Sequence, residues 1–235
     1  MSPELTVVVP AYNEEACIRD VLSGWIQELK KLHINFQIIV LNDGSQDQTG
    51  KILGGMSVEF PEIILIDKSN AGHGPAILMG YQRASQESPW IFQIDSDNDM
   101  GPGSFYKLWN ERESHDFLLG RRVQRRQPLA RKIISWTSRS VIRIFYGCRV
   151  WDVNSPYRLF RTDVFKDILS QIPEGTFAPN LILSGFCSLK KLRVLEVPVP
   201  HADRKKGGGS LNKGKLLKAS LRGFSQTIIL RTRIR

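Results

Sequence analysis

Four short apolar runs, at residues 5–9, 36–41, 63–66 and 90–94, recur through the first half of the chain with helical stretches between them. Runs this short and this uniformly apolar belong to strands covered on both faces, as in parallel sheets. Residues 14–32 place Ile18, Val21, Leu22, Trp25, Ile26 and Leu29 at helical spacing, and residues 74–84 do the same with Ile77, Leu78 and Tyr81. The β-α-β-α order predicts an α/β fold with a mostly parallel central sheet flanked by helices, whose ligands bind beyond the carboxyl ends of the strands. With 235 residues, 41% of them hydrophobic, the chain can bury one large core, so one domain is expected.

Polar motifs sit where that rule puts them. The first run leads into Pro10-Ala11-Tyr12-Asn13-Glu14, the second into Asn42-Asp43-Gly44-Ser45, and the fourth into Asp95-Ser96-Asp97-Asn98-Asp99. Three strand ends would then border one crevice. Alternate carboxylates after a strand can gather around a hard divalent cation, and Mg²⁺ or Mn²⁺ held by one or two carboxylates plus substrate phosphates is a common arrangement. A solvated acidic turn is the plainer reading of that motif alone.

The motifs taken in order, 7–15, 42–49, Asn70-Ala71-Gly72-His73-Gly74 and Asp95-Ser96-Asp97, resemble the donor-site motifs of family 2 glycosyltransferases with the GT-A fold. The resemblance spans about residues 5–100 and continues more weakly to about 213. It implies an inverting, metal-dependent transferase that uses a UDP- or GDP-sugar. Pro10, Tyr12 and Glu14 would border the nucleotide, Asp43 would accept a hydrogen bond from the base, and Asp95 and Asp97 would lie at the ribose, diphosphate and metal. Asp99 would be a third metal ligand, at a position where the nearest subgroup often has Gln. Gly72 and Gly74 would let backbone approach the ligand, and His73 would partner the diphosphate or be an ordinary loop histidine.

The second half is similar to the subgroup of dolichol-phosphate mannosyltransferases and polyprenyl-phosphate glycosyltransferases, through Gly120-Arg121-Arg122, residues 131–135 and residues 152–160. That similarity nominates Arg122, Arg131 and Ser135 for the acceptor phosphate, with Asp152, Ser155 and Arg158 around it. Guanidinium forks bind phosphate oxygens in pairs. Arg121, Arg125 and Arg126 read more simply as a solvated basic face. Transfer to a sugar hydroxyl requires a general base, yet residues 177–183, Phe-Ala-Pro-Asn-Leu-Ile-Leu, carry no carboxylate and no Q-x-x-R-W motif occurs. A phosphate monoester, with a second pKa of about 6, is already an anionic nucleophile near neutral pH and needs no such base. Asp152 is the alternative base, or else a residue that orients Arg158 or caps a turn.

Charge divides the chain in the same place. Residues 1–118 hold 8 Lys/Arg against 17 Asp/Glu, a balance of −9, whereas residues 119–235 hold 25 against 6, a balance of +19. A basic half suits an anionic partner. Arg204, Ser210 and Asn212 flank a glycine-rich loop expected to close over phosphate. After it, residues 213–230 form a predicted amphipathic helix with Leu217, Leu221, Phe224 and Ile228 on one face and lysines and arginines around them, suited to a membrane surface or to packing on the domain. The expected organisation is thus a transferase domain over 1–212, with a nucleotide-sugar half (1–118) and an acceptor half (119–212), and a basic segment over 213–235.

No run reaches the roughly 18 apolar residues of a membrane span, and Met1-Ser2-Pro3-Glu4 lacks a signal-peptide layout. A cytoplasmic location is therefore expected, with membrane contact peripheral or through a separate partner. Cys17, Cys148 and Cys187 show neither disulfide nor zinc spacing. The leading acceptor is polyprenyl phosphate at the inner membrane face; a soluble or protein-linked acceptor is the alternative. Nucleic acid is disfavoured, since the basic residues lack the aromatic interleaving of a stacking platform.

Overall fold

The computed structural model describes residues 2–97, 99–123, 129–147, 150–201, 223 and 225–231, with the side chains of 129–135, 138 and 141 outside that description. Among the described residues up to Pro200 the strands and α-helices follow one another as β1 (Leu5–Ala11), α1 (Ile18–Lys31), β2 (Phe36–Asp43), α2 (Thr49–Glu59), β3 (Ile63–Lys68), α3 (His73–Ala84), β4 (Trp90–Gln93), α4 (Phe105–Asn110), β5 (Phe117–Val123), α5 (Leu129–Tyr146), β6 (Arg158–Arg161), α6 (Thr162–Gln171), α7 (Pro179–Leu189) and β7 (Val194–Pro200). One sheet holds all the strands in the order β3-β2-β1-β4-β6-β5-β7. β1 to β4 pair in parallel, β6 runs antiparallel to both β4 and β5, and β5 is parallel to β7. The sheet is the expected mostly parallel one, and it runs without a break through both charge halves, β5 straddling residue 118.

Alternation along each strand builds two cores. Val7, Val9, Ile38 and Val40 face the layer that contains Trp25 of α1 and Phe105 of α4, while Val8, Ile39 and Leu41 face the layer that contains Tyr81 of α3 and Phe165 of α6. Both faces are covered, which is why the strands read as unbroken apolar runs. Trp25 is the hub of the first layer, with Phe92, Phe105 and Tyr157 ring centroids 5.2–5.8 Å away. α3 lies close against β1 and against the chain before α7. A Cβ on Gly74 would fall 2.1 Å from the Phe177 carbonyl oxygen, so this glycine accommodates protein backbone, rather than the ligand expected from the sequence.

The antiparallel β6 is what turns residues 152–157 back toward the parallel strand ends. Of the closing helix predicted over 213–230, residues 223 and 225–230 are described and helical, and the helix continues to 231. This segment packs on the domain: Tyr146 Oη donates to the Thr227 carbonyl at 2.6 Å, Arg231 Nε donates to the Phe145 carbonyl at 3.1 Å, and Leu230 is buried. Ile228 is half-buried rather than part of a free face; Leu217, Leu221 and Phe224 lie outside the described residues. Truncating the hub should be costly: Trp25→Ala is expected to lower unfolding free energy by about 3–5 kcal/mol in a urea melt, and a loss under about 1 kcal/mol would contradict this packing.

Candidate functional site

The carboxyl ends of β1, β2 and β4 share one edge of the sheet because the strands are parallel: Ala11 lies opposite Asn42, while β4 ends earlier, with Gln93 opposite Val8. The loop after β1 is laced to the loop after β2. The Asn13 N–H donates to Ser45 Oγ at 3.1 Å, the Gln46 N–H to Asn13 Oδ1 at 2.8 Å, and the Glu14 N–H to Thr49 Oγ1 at 2.8 Å. Cys17 Sγ reaches both Glu14 Oε2 at 3.3 Å and the Ser96 carbonyl at 3.4 Å, tying the β1 loop to the β4 loop. On this platform Pro10 is buried at the end of β1, Glu14 is half-buried, and Tyr12 stands exposed at the rim.

Asp43 closes β2 and clamps the loop after β3. Its carboxylate accepts the N–H groups of Ala71 at 2.9 Å and Gly72 at 2.8 Å, together with the Lys68 ammonium. Burial pushes its carboxyl up, but these donors outweigh it and hold the group below the usual carboxylate range. Gly72 reaches the clamp with φ at +97°, a conformation costly for any side-chain-bearing residue. Asp43, expected at the nucleobase, thus anchors the loop that flanks the crevice.

Asp95 and Asp97 line a polar cavity of about 180 Å³ with Asp99, Arg122, Tyr157 and His201. The Asp95 side chain keeps 30% of its surface open to this cavity, and His73 Nε2 stands 3.5 Å from its Oδ1. Burial raises its carboxyl above the ordinary range, opposed by His73 and reinforced by Asp97. Asp97 Oδ1 accepts the Asp99 N–H at 3.2 Å, and Asp99 pairs with His201 at 3.6 Å. Among the described residues no three His, Cys, Asp or Glu side chains already converge as a metal cage. The donor set nonetheless fits a hard cation: it is all oxygen, and Mg²⁺ or Mn²⁺ commonly takes only one or two carboxylates and completes its shell with phosphates and water. A cation would also relieve the mutual repulsion of Asp95 and Asp97. His201 at this cavity was not foreseen, since a lone histidine after a strand carries no sequence signal.

Arg122 enters the same cavity from β5. Asp152 holds it as a fork, accepting Nε at 2.8 Å and Nη2 at 2.7 Å, and Asp152 is itself fixed through its N–H on Glu196 at 3.1 Å. Asp152 therefore orients Arg122, not Arg158. Ser155 and Arg158 depart from the expected acceptor role. Ser155 is fully buried, with Oγ donating to the Gly120 carbonyl at 2.5 Å. Arg158 is equally buried and donates to the carbonyls of Ser155, Val153 and Asn180; both staple the β6 turn and present no surface to a phosphate. Arg131 and Ser135 belong to α5 but their side chains lie outside the described residues, as do Arg204, Ser210, Asn212, Arg125 and Arg126 entirely. A larger hollow of about 580 Å³ lies across the Gly72 loop, lined by Lys68, His73, Leu78, Met79 and Phe177, and none of Asp43, Asp95 or Asp97 borders it.

The family model described as Glycosyl transferase family 2 matches residues 6–169, which contain the three carboxylates of the cavity and its arginine. The chain belongs to glycosyl transferase family 2. Among its family 2 relatives is the undecaprenyl-phosphate 4-deoxy-4-formamido-L-arabinose transferase of Proteus mirabilis, 27% identical over 217 residues, covering 91% of this chain and 64% of that protein. The polyprenol monophosphomannose synthase of Mycolicibacterium smegmatis is 23% identical, covering 91% of this chain and 83% of that one. The chain thus spans less than two thirds of the arabinose transferase's length. Its fold is similar to that of glucosyl-3-phosphoglycerate synthase from Mycobacterium tuberculosis, crystallised with Mn²⁺, UDP and glucosyl-3-phosphoglycerate, at a TM-score of 0.68 and 18% identity, covering 99% of this chain and 81% of that one.

The Asp43 clamp makes a pH-dependent prediction. Its native pKa lies below the unfolded value of about 3.9, so its stabilisation is complete above that value and is lost as pH falls through the lower native one. Asp43→Asn leaves Lys68 partly buried and unmatched, so about 3 kcal/mol of stability should be lost at pH 7. Urea melts of both proteins should converge toward acid; a gap that stays constant down to pH ~2 would contradict the clamp.

Proposed function

We propose that this chain transfers one sugar, with inversion, from a UDP- or GDP-sugar to a polyprenyl phosphate at a membrane surface. The observation that carries the proposal is the convergence of Asp95, Asp97 and Arg122 on one small polar cavity at the strand ends. Carboxylates suited to a cation and an arginine held as a fork by Asp152 supply the two halves of a reaction between two phosphate-bearing substrates. The names of the polyprenyl-phosphate relatives point to the same acceptor class.

In this reading Asp97, with Asp95 and Asp99, would hold Mg²⁺ or Mn²⁺, and the cation would supply positive charge against the nucleoside diphosphate. Tyr12, Glu14 and the Asp43-clamped loop border the nucleotide. Arg122, kept rigid by Asp152, directs an acceptor phosphate oxygen to the face of the anomeric carbon opposite the leaving group, where positioning supplies most of the rate. The phosphate already carries its charge, so the chain need not provide a base at Pro179-Asn180. Arg131, Ser135, Arg204 and Ser210 remain assigned to the acceptor phosphate and its closing loop.

Membrane contact is assigned to α5. Trp136 and Ile144 are 67% and 75% exposed, Trp151 is 56% exposed, and Arg139 stacks over the Trp151 ring at 4.1 Å. Trp136, Arg143 and Ile144 fall on one helical face, a mixture of aromatic, aliphatic and basic groups that suits an anionic lipid interface. Among the described residues no helix is long and apolar enough to cross a membrane.

The reaction is tested by incubating the protein with Mn²⁺ or Mg²⁺, polyprenyl phosphate and a panel of UDP- and GDP-sugars, and identifying glycolipid by mass. Product is expected, with Asp97→Ala and Arg122→Ala each reducing it at least about a hundredfold, as lost transition-state contacts of about 2.7 kcal/mol would. Glycosylation of a soluble phosphorylated acceptor in place of the lipid would contradict the acceptor assignment. In vesicle sedimentation, Trp136→Asp/Ile144→Asp should lose most binding to anionic liposomes while nucleotide binding is unchanged; undiminished sedimentation would contradict the α5 surface.

A further inference from the structure

Gln93 is the last residue of β4 and is fully buried among apolar neighbours. A primary amide in such a place is costly unless its hydrogen bonds are met, and here they are met by Asp95 further along the chain and by α3 and α7, which pack in one layer. Its Nε2 donates to Asp95 Oδ1 at 3.1 Å. Its Oε1 accepts from Asn180 Nδ2 of α7 at 2.9 Å and lies 2.8 Å from the hydroxyl of Tyr81 on α3. The Tyr81 hydroxyl is also 2.9 Å from Asn180 Oδ1, so its single proton is shared between the two amide oxygens. Burial pushes the Tyr81 hydroxyl well above the usual tyrosine range, so it stays a donor.

The amide can face only one way. Turned over, Oε1 would meet the ionised Asp95 carboxylate, acceptor against acceptor. Asp95 thus fixes which way Gln93 faces, while Asn180 and Tyr81 satisfy its carbonyl oxygen and hold the amide in place beneath the carboxylate. We propose that Gln93 is a positioning residue that sets the orientation of the Asp95 carboxylate, with Tyr81 and Asn180 as its backing. The inference deepens the proposed function: Asn180 lies in the stretch that carries no carboxylate base and serves as an amide strut, while two helices packed on the sheet face that Gln93 occupies determine how Asp95 meets cation and diphosphate. Neither Tyr81 nor Asn180 borders the carboxylate cavity, so their influence on it passes through Gln93.

The test combines crystal structures with calorimetric titration of Mn²⁺–UDP or Mn²⁺–GDP, whichever the wild-type protein binds. Gln93→Met keeps the volume and removes the amide; Tyr81→Phe keeps the ring and removes the hydroxyl, a milder change that preserves the fold if the first does not. In the Gln93→Met crystal the Asp95 carboxylate should turn from its wild-type orientation, and nucleotide affinity should fall about tenfold. Tyr81→Phe should cost about threefold alone and nothing further in the Gln93→Met background, the non-additivity of residues acting through one another. A role confined to stability would lower the melting temperature in both backgrounds and leave affinity unmoved. An Asp95 side chain unchanged in both variant crystals overturns the inference, as does additive loss of affinity. A wild-type protein that binds neither nucleotide contradicts the proposed function instead, and the crystals then decide the positioning claim by themselves.

Discussion

Parallel pairing of β1 with β2 and β4 aligns three strand ends, and nearly every polar feature of the molecule hangs from that alignment. With Ala11 beside Asn42 and Val8 beside Gln93, the loops that follow must share one edge of the sheet. Each then holds its neighbour: Asn13 to Ser45 and Gln46, Cys17 to Ser96, Asp43 to the loop before α3. The strands themselves are stabilised by burial on both faces, so the edge can carry closely spaced carboxylates without the core depending on them.

Charge is managed locally instead of by distance. Lys68 answers Asp43, and Asp152 answers Arg122 while Glu196 holds the Asp152 backbone. Arg158 is answered by carbonyl oxygens alone, with the Phe117 ring 5.8 Å from its guanidinium. The acidic first half and basic second half therefore meet at one cavity without collapsing onto each other: among the described residues Arg122 is held by Asp152 and makes no hydrogen bond to Asp95 or Asp97. In the proposed reaction that separation would leave both sets of groups to face phosphates.

Much of this was legible in the sequence, for identifiable reasons. β1 to β4 could be read because strands covered on both faces are uniformly apolar, and α1 because Ile18 through Leu29 form a clean helical stripe. The strand-end motifs identified the carboxylate cavity for the same reason. β7 escaped notice because Val194–Pro200 alternates with charge and proline and lies at a sheet edge, and α7 because its apolar residues surround it instead of forming a stripe. Ser155 and Arg158 were misread because a motif gives residue type and order but not burial; the turn into β6 carries both inward. Gln93 gave no signal, since a single amide in an apolar run resembles an interruption until its partners from α3 and α7 are seen beside it.

The central claim is that the carboxylates after β4 and the arginine of β5 form one cation-dependent phosphate site. Paramagnetic broadening tests it directly: Mn²⁺ is titrated with UDP or GDP into ¹⁵N-labelled protein and the amide signals are followed. The account predicts that Asp95, Asp97, Asp99 and Arg122 broaden first and together, and that Asp97→Ala removes the effect. Broadening that begins at exposed carboxylates such as Glu59 or Glu113, or that ignores both nucleotide and Asp97, would contradict it.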